Sequence, residues 1–389
     1  FFFHPHAATR DPLWSRGLGD VYKRQDYLPL PGTPIEELDT PCIVVDLDLA
    51  EANIAKLQSA AKDMGVHVRP HSKTSKSPYW VRKQLDAGAI GICCAKVGEA
   101  EVMVEAGITE VMITSQVIGK SKIARLLALA PSAQMIVAVE DSSNVLELSE
   151  ASSAAGVEIG VIVELNVGQD RCGTDPDGAV VLARQVSEAP GLRFDGLMGY
   201  EGHLVAERDY ETRKAETEKA MAIVTHTADL IRDAGISVPI VSAAGTGTYD
   251  ITGRIKGITE LQCGSYLFMD GDYAEVFDDF TPALSVLSTV ISRQKEDAAV
   301  VDMGLKSISI DRGLAEILSP SGATIVKHSE EHTIIHLPDV KSRAINIGDK
   351  VQSRPTHGDT TINLHEYYFG IRNGKLEAVI PISARGKFR

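Results

Sequence analysis

No apolar run in this sequence approaches the ~20 residues that a membrane-spanning helix needs. Cysteine is scarce as well. The five present, Cys42, Cys93, Cys94, Cys172 and Cys263, form no CxxC pair and no spacing of a disulfide framework. That pattern points to a reducing compartment, and the expected location is cytoplasmic. Positive charge is in deficit: the net charge is -14 and the pI about 5.3. Such a balance argues against nucleic acid, and against an anionic membrane surface, as the main partner. Small metabolites remain.

What is there is an ordinary globular composition, 44% apolar over 389 residues. This is enough for a sizeable core, too long for one typical domain, and suited to one large barrel plus a smaller module. The opening stretch "FFFHPHAATRDPLWSRGLGDVYKRQ" differs in composition from all that follows. It has no initiator Met, basic n-region or continuous apolar h-region, so it does not read as a signal peptide. Residues 1–25 are read as a non-native leader and left out of the fold argument.

From Thr40 a rhythm sets in. Short β-rich runs such as "CIVVDL", "VHVRPH", "IGICCA", "QMIVAVE", "IGVIVELN" and "PIVSAAG" alternate with helix-like segments, several ending in Gly. Near-continuous Val/Ile runs fit parallel strands buried on both faces. The spacing predicts an α/β fold, a (β/α)8 TIM-type barrel over residues 26–282, with a doubly wound open sheet as the alternative. After Pro282 the helices drop out, and "LSVLSTVISRQ", "AAVVDMG", "HTIIHL", "DKVQSRPT" and "EYYFGIRNGKLEAVIPIS" read as strands joined by turns. Residues 283–389 are expected to form a smaller C-terminal β domain.

Chemistry in a barrel sits at the C-terminal ends of its strands. "HVRPHSKTSK", residues 67–76, fits that position and carries His71, Lys73 and Lys76. His67, Arg69, His71 and Lys73 share one strand parity. A desolvated lysine there attacks carbonyls to form a Schiff base, whereas a solvated loop explains the same charges without chemistry. "SAAGTGTYD" places Gly245, Thr246 and Gly247 in a tight turn after a late strand, and "QCGSY" brings Gly264, Ser265 and Tyr266. Backbone N–H groups in such turns bind anions, although ordinary strand-end turns look alike. In "ELNVGQDRCGTD", Arg171 faces either the mouth or solvent. In "RPTHGDTTINLHEYY", His357 and Asp359 are one residue apart, so an extended segment points both the same way. An imidazole and a carboxylate side by side hold a divalent ion, or simply bond to each other; His365 is a conceivable third ligand.

Together, "RPHSKTSK", "GQDRCG", "GTGTY" and "HGD" resemble, in that order, the fold-type III pyridoxal phosphate enzymes. Within them the chain looks like the D-threonine aldolase and 3-hydroxy-D-aspartate aldolase branch. The likeness runs from Leu28 to the end and includes "TPCIVVDLD", "GICCAKVGEAE", "ELQCGSYLFMD" and "VVDMGLK". The resemblance implies Lys73 as the Schiff-base lysine, with no such role for Lys76. It implies Arg171 near the cofactor ring, and Gly245, Thr246, Gly247, Gly264, Ser265 and Tyr266 at the phosphate. Tyr200 and His203, in "MGYEGH", would line the substrate pocket, His203 as a possible base. The pair His357-Gly-Asp359 matches the aldolases, whereas the related dehydratases carry His-x-Cys. A carboxylate suits a harder ion, Mn²⁺ or Mg²⁺. The implied reaction cleaves a D-3-hydroxy amino acid to glycine and an aldehyde, in a homodimer. A D-serine or 3-hydroxyaspartate dehydratase, a racemase, and a non-catalytic cofactor carrier are the competing readings.

Overall fold

The computed structural model describes residues 28–389; the expected leader at 1–25 lies outside them. The first strand of the sequence rhythm, β1 (Cys42–Asp46), leads into helix α1 (Leu47–Met64). The Asp46 carboxylate caps α1 by accepting the Leu49 N–H at 3.1 Å, and Gly65 ends it in the left-handed region at φ 74°. Leu47, Ala50, Ile54, Leu57 and Ala61 form its buried stripe at helical spacing.

The barrel then follows as β2 (His67–Val68), α2 (Pro78–Asp86), β3 (Ile92–Cys94), α3 (Val97–Glu105) and β4 (Glu110–Gln116). It continues through α4 (Lys120–Leu129), β5 (Gln134–Val139), α5 (Ser142–Ala155), β6 (Ile159–Glu164) and α6 (Pro176–Glu188). The last members are β7 (Leu192–Gly199), α7 (Tyr210–Asp233), β8 (Ile240–Ala243) and β9 (Glu260–Leu261). These eight strands, β2 to β9, pair in parallel in the order β2-β9-β8-β7-β6-β5-β4-β3. The sheet closes on itself. Cys93 N–H donates to Pro70 O at 2.9 Å, and Ser72 N–H to Cys93 O at 2.7 Å, across the seam between β2 and β3. The barrel is therefore the architecture, and the open doubly wound sheet is not.

One strand goes elsewhere. β1, counted with the barrel from its sequence, pairs antiparallel with β10 (Leu284–Lys295) and parallel with β16 (Tyr367–Arg372). It lies within the second sheet, beside β11 (Ala298–Val301), β12 (Glu316–Ser319), β13 (Thr324–His328), β14 (Thr333–His336), β15 (Lys350–Arg354) and β17 (Lys375–Pro381). The eighth barrel strand is β9 instead, too short for any periodicity to reveal. By threading β1 through the second sheet, the chain ties that sheet to the start of the barrel.

An aromatic contact locks the two parts together. Trp80 on α2 meets Phe268 edge-on at 5.2 Å, and Phe268 meets Tyr368 of β16 at 5.3 Å. The Tyr368 hydroxyl donates to Ser75 O at 2.6 Å, so the second sheet holds the loop that carries Lys73.

Inside the barrel, one half is apolar: Cys93, Met112, Ile136, Ala138, Ile162 and Met198 pack together. The other half is polar and hydrogen-bonded within itself, with Arg69 Nη1 left without a partner among the described residues. Arg69 donates to Glu260 at 3.0 Å, Ser242 donates to Glu260 at 2.8 Å, and Gln262 donates to Ser242 at 2.8 Å. Both charges of the Arg69–Glu260 pair are buried. Removing one partner strands the other in low dielectric. Glu260→Ala is expected to lower the unfolding free energy by about 3–5 kcal/mol, read from a urea titration.

Candidate active site at the barrel mouth

The residues that point into the barrel alternate along each strand, and that parity carries on past the apolar filling into its mouth. Above Met112 stand Thr114 and Gln116; above Met198 stands Tyr200; above Arg69 stand His71 and Lys73; above Glu260 stand Gln262 and Gly264. All of these except Arg69, Met112 and Glu260 line a cavity of about 360 Å³ at the C-terminal ends of the strands. The charged side chains at its wall are Lys73, Lys96 and Arg171, with no carboxylate among the lining residues. In a protein of net charge -14 this is a local reversal of sign, suited to an anionic ligand.

The two lysines of the "HSKTSK" loop part here. Lys73 lines the cavity, and its backbone N–H donates to His71 Nδ1 at 3.3 Å. With Nδ1 accepting, the His71 proton sits on Nε2, which lies 3.1 Å from Thr114 Oγ1. Burial, reinforced by the charges of Lys73, Lys76 and Arg171, holds His71 well below the usual imidazole range, so the ring is neutral. Lys76 turns away through a left-handed backbone at φ 48° and pairs with buried Glu99. That ion pair, together with the Ala95 N–H bond to Glu99 at 2.7 Å, makes Lys76 a structural residue.

Next to the Lys73 strand, Gly264-Ser265 after β9 and then Gly245-Thr246 after β8 form the adjoining wall. Each pair opens a short 3₁₀ turn (246–248 and 265–267), whose leading N–H groups have no carbonyl within their own turn to bond. These are the loops after the seventh and eighth barrel strands, where barrels bind phosphate. A fully buried carboxylate fixes the first loop: Glu201 accepts from Thr248 Oγ1 at 2.7 Å, Thr252 Oγ1 at 2.6 Å and Ala244 N at 3.2 Å. Glu201 had no expected role, and its signal was weak, a single acid beside Tyr200.

Two members of the expected phosphate set do not face the cavity. A methyl on Gly247 would overlap the carbonyl oxygen of Val205, so this glycine is a close-packing position. Its φ lies outside the left-handed region, which makes the cost steric alone. Gly247→Ala is expected to cost about 1–3 kcal/mol of stability and to loosen the adjoining turn, read as a lower melting temperature and weaker cofactor retention on gel filtration. Tyr266 is fully buried and receives a hydrogen bond from Gln84 at 2.8 Å, although its backbone N–H donates to Thr246 Oγ1 at 3.0 Å. Its ring serves the core.

Arg171 reaches the mouth from the loop after β6 and lies over the Tyr200 ring at 5.7 Å. Burial and the neighbouring Glu201 push the Tyr200 hydroxyl up to about 12. His203, the expected base, is exposed; its Nε2 sits beside Gly168, and it is not among the lining residues. The parity explains this, because Tyr200 is the last strand-end position and the chain then turns outward. Glu140, Glu164 and Cys172 lie close enough together to hold a cation. One oxygen of each acid already has a donor, Gln116 on both and the Gly173 N–H on Glu140, and Arg171 lies 3.8 Å from the other oxygen of Glu164, so the group braces the Arg171 loop.

The "HGD" segment approaches from the second sheet. His357 caps the short helix Gly358–Ile362, and Asp359 lies in its first turn, so the expected extended segment is a helix start instead. Asp359 reaches the rim of the cavity, where Thr74 Oγ1 donates to it at 3.4 Å. His357 places Nδ1 at 2.6 Å from Asp311, and no bond to its Nε2 is present among the described residues. Buried Asp270 accepts the Gly358 N–H at 2.9 Å and ties the segment to the barrel. Burial raises Asp270 to about 6 in spite of that bond, with Asp359 adding to the rise and His357 opposing it. His365 bonds to Ser307 O at 2.6 Å and is not a third member of the group. Tyr273, which the sequence left unremarked, lines the cavity beside this segment.

A closed parallel barrel with a lysine at one strand end, phosphate-type turns after its last two strands and a β domain against its mouth defines the alanine racemase-like class. The family model for the alanine racemase N-terminal domain matches residues 45–272, and that for a putative serine dehydratase domain matches residues 283–371. A 3-hydroxy-D-aspartate aldolase of Paracoccus denitrificans (strain Pd 1222) is 38% identical over 374 residues, 93% of this chain and 96% of that protein. A D-threonine aldolase of an Arthrobacter species is 38% identical over 361 residues, 92% and 95% of the two chains. The crystal structure of D-threonine aldolase from Filomicrobium marinum superposes with a TM-score of 0.90 at 39% identity, covering 93% of this chain and all of that one. D-threo-3-hydroxyaspartate dehydratase from Delftia sp. HT23 follows with a TM-score of 0.83 at 26% identity, over 90% and 98%. The chain belongs to the fold-type III, alanine racemase-like pyridoxal phosphate enzymes, in the branch of the D-threonine and 3-hydroxy-D-aspartate aldolases.

Proposed function

We propose that this protein is a pyridoxal phosphate- and divalent metal-dependent aldolase that cleaves D-3-hydroxy amino acids to glycine and an aldehyde. The observation that carries the reading is near-full-length likeness to the two aldolases, combined with His357-Gly-Asp359 at the rim of a cationic cavity. The cavity fits the cofactor: a lysine and a wall of small residues line it together, the N–H groups of Thr246, Gly264 and Ser265 have no partner among the described residues, and no carboxylate is among the lining residues. The metal pair fits a hard divalent ion, Mn²⁺ or Mg²⁺, because its ligands are an imidazole and a carboxylate with oxygen to spare.

In this reading Lys73 would hold the cofactor covalently, Thr246, Gly264 and Ser265 would donate N–H groups to its phosphate, and Arg171 and Tyr200 would contact its ring. When bound, pyridoxal phosphate supplies a sink for the electron pair left on Cα as the Cα–Cβ bond breaks. A divalent ion on His357 and Asp359 supplies a Lewis acid at the β-hydroxyl. The neutral His71 keeps Lys73 in place through its backbone N–H. The aromatic contact of Trp80, Phe268 and Tyr368 keeps the second sheet, and with it the metal pair, against the mouth. His203 is not assigned the base role, given its exposure. The 3-hydroxyaspartate preference is proposed over threonine on the likeness of the C-terminal segment; homodimeric assembly and a cytoplasmic location complete the proposal.

The dehydratase reading rests on the matching domain at residues 283–371 and on the likeness to the Delftia enzyme. The Delftia dehydratase has been crystallised with a histidine, and with a cysteine two residues further on, replaced by alanine, the latter in a metal-free form. Here the second residue of such a spacing is Asp359, which favours the aldolase. The test is product analysis with pyridoxal phosphate and Mn²⁺ present, offering D-threonine and D-configured 3-hydroxyaspartate. Glycine with glyoxylate or acetaldehyde is expected; ammonia with a 2-oxo acid would make it a dehydratase.

A further inference from the structure

The assignment of the metal to His357 and Asp359 leaves open which nitrogen of His357 does the binding, and the structure supplies the group that decides. We infer that Asp311 is a positioning residue for this pair: its carboxylate holds His357 as the Nδ1–H tautomer and so turns Nε2 outward as the ligand. The inference rests on the metal assignment above and adds a residue to it that lies 46 positions away in the chain.

Asp311 is itself pre-aimed. Its Oδ1 accepts from Ser309 Oγ at 2.6 Å and from Thr360 Oγ1 at 2.9 Å. That leaves Oδ2 for His357 Nδ1, at 2.6 Å. Thr360 Oγ1 also comes within 3.2 Å of Nδ1, but its proton is committed to Asp311, so it does not compete as a donor. The ring proton therefore belongs on Nδ1, and Nε2 keeps its lone pair.

The loop that carries Asp311 is fastened on both sides. Ser309 N–H donates to Thr361 Oγ1 at 3.1 Å, and Thr356 Oγ1 donates to Leu314 O at 2.7 Å. Arg312 pairs with Asp272 at 2.7 Å, next to Tyr273 of the cavity wall. Residues 309–314 thus bracket His357 from Thr356 to Thr361. A carboxylate behind a ligating imidazole fixes its orientation and raises its basicity, and loss of such a partner typically costs ten- to a hundredfold in metal affinity.

The experiment titrates Mn²⁺ into the cofactor-loaded protein and reads free Mn²⁺ by electron paramagnetic resonance, for the wild type, Asp311→Ala, Asp311→Asn and His357→Ala. His357→Ala is expected to lose Mn²⁺ binding. Asp311→Ala is expected to weaken it about ten- to a hundredfold, and Asp311→Asn, which keeps an acceptor oxygen without the charge, by less. Cofactor absorbance and the metal-free melting temperature should stay at wild-type values in both Asp311 variants. Mn²⁺ affinity within twofold of wild type in both of them, with His357→Ala defective, would overturn the role of Asp311 alone. A drop in metal-free melting temperature that parallels the loss of affinity would also overturn it, since loop collapse would then be the cause. Normal binding by His357→Ala would instead remove the metal assignment on which the inference stands.

Discussion

Replacing Lys73 with alanine is expected to reduce turnover by at least about a thousandfold and to abolish the near-visible absorbance of the covalently held cofactor. Lys73 is the lysine of the "HSKTSK" loop that lines the cavity together with the Gly245 and Gly264 turns. No other group there matches a primary amine at that position, because Lys96 lies at the exposed edge and Lys76 is paired with Glu99. Lys76→Ala is the control. It removes a partner from buried Glu99, so it should lower stability while the cofactor absorbance of the remaining folded protein persists. Loss of the absorbance in Lys76→Ala with retention in Lys73→Ala would move the nucleophile.

The second large effect concerns the metal pair. Asp359→Ala is expected to keep the cofactor and its absorbance, yet to lower turnover about a hundredfold or more at any practical Mn²⁺ concentration. The carboxylate contributes charge as well as a ligand atom, so Asp359→Asn should recover only a part. Chelation of the wild type should reproduce the defect, and added Mn²⁺ should reverse it. The separation of phenotypes follows from the structure: Asp359 reaches the rim through Thr74, while the turns expected to hold the cofactor phosphate belong to the barrel alone. Full activity after chelation would take the metal out of the reaction.

The barrel was legible because strands such as β5 and β6 are buried on both faces and so read as Val/Ile-rich runs; β6 is buried along its whole length. β1 misled for the same reason. "CIVVD" followed by an amphipathic helix looks like any βα unit, and nothing local says that its partners are β10 and β16, more than 200 residues on. β9 was invisible as a strand, having two residues. In the site, the resemblance brought Lys73, Arg171, Tyr200, Gly245, Thr246, Gly264 and Ser265 together, and all seven line the cavity. It could not tell a glycine that lines the cavity from one that packs on Val205, nor a ring in the core from one in the pocket. Thr114, Gln262 and Tyr273 were missed, although strand parity from Met112 and Glu260 would have found the first two. Asp311 was beyond reach, since its pairing with His357 depends on a loop that only the folded second sheet brings back.

The most direct measurement is borohydride reduction of the cofactor-loaded protein, followed by proteolysis and mass mapping of the pyridoxyl-modified peptide. The account predicts one modified residue, Lys73. Modification at Lys96 or Lys76, or none at all, would contradict it.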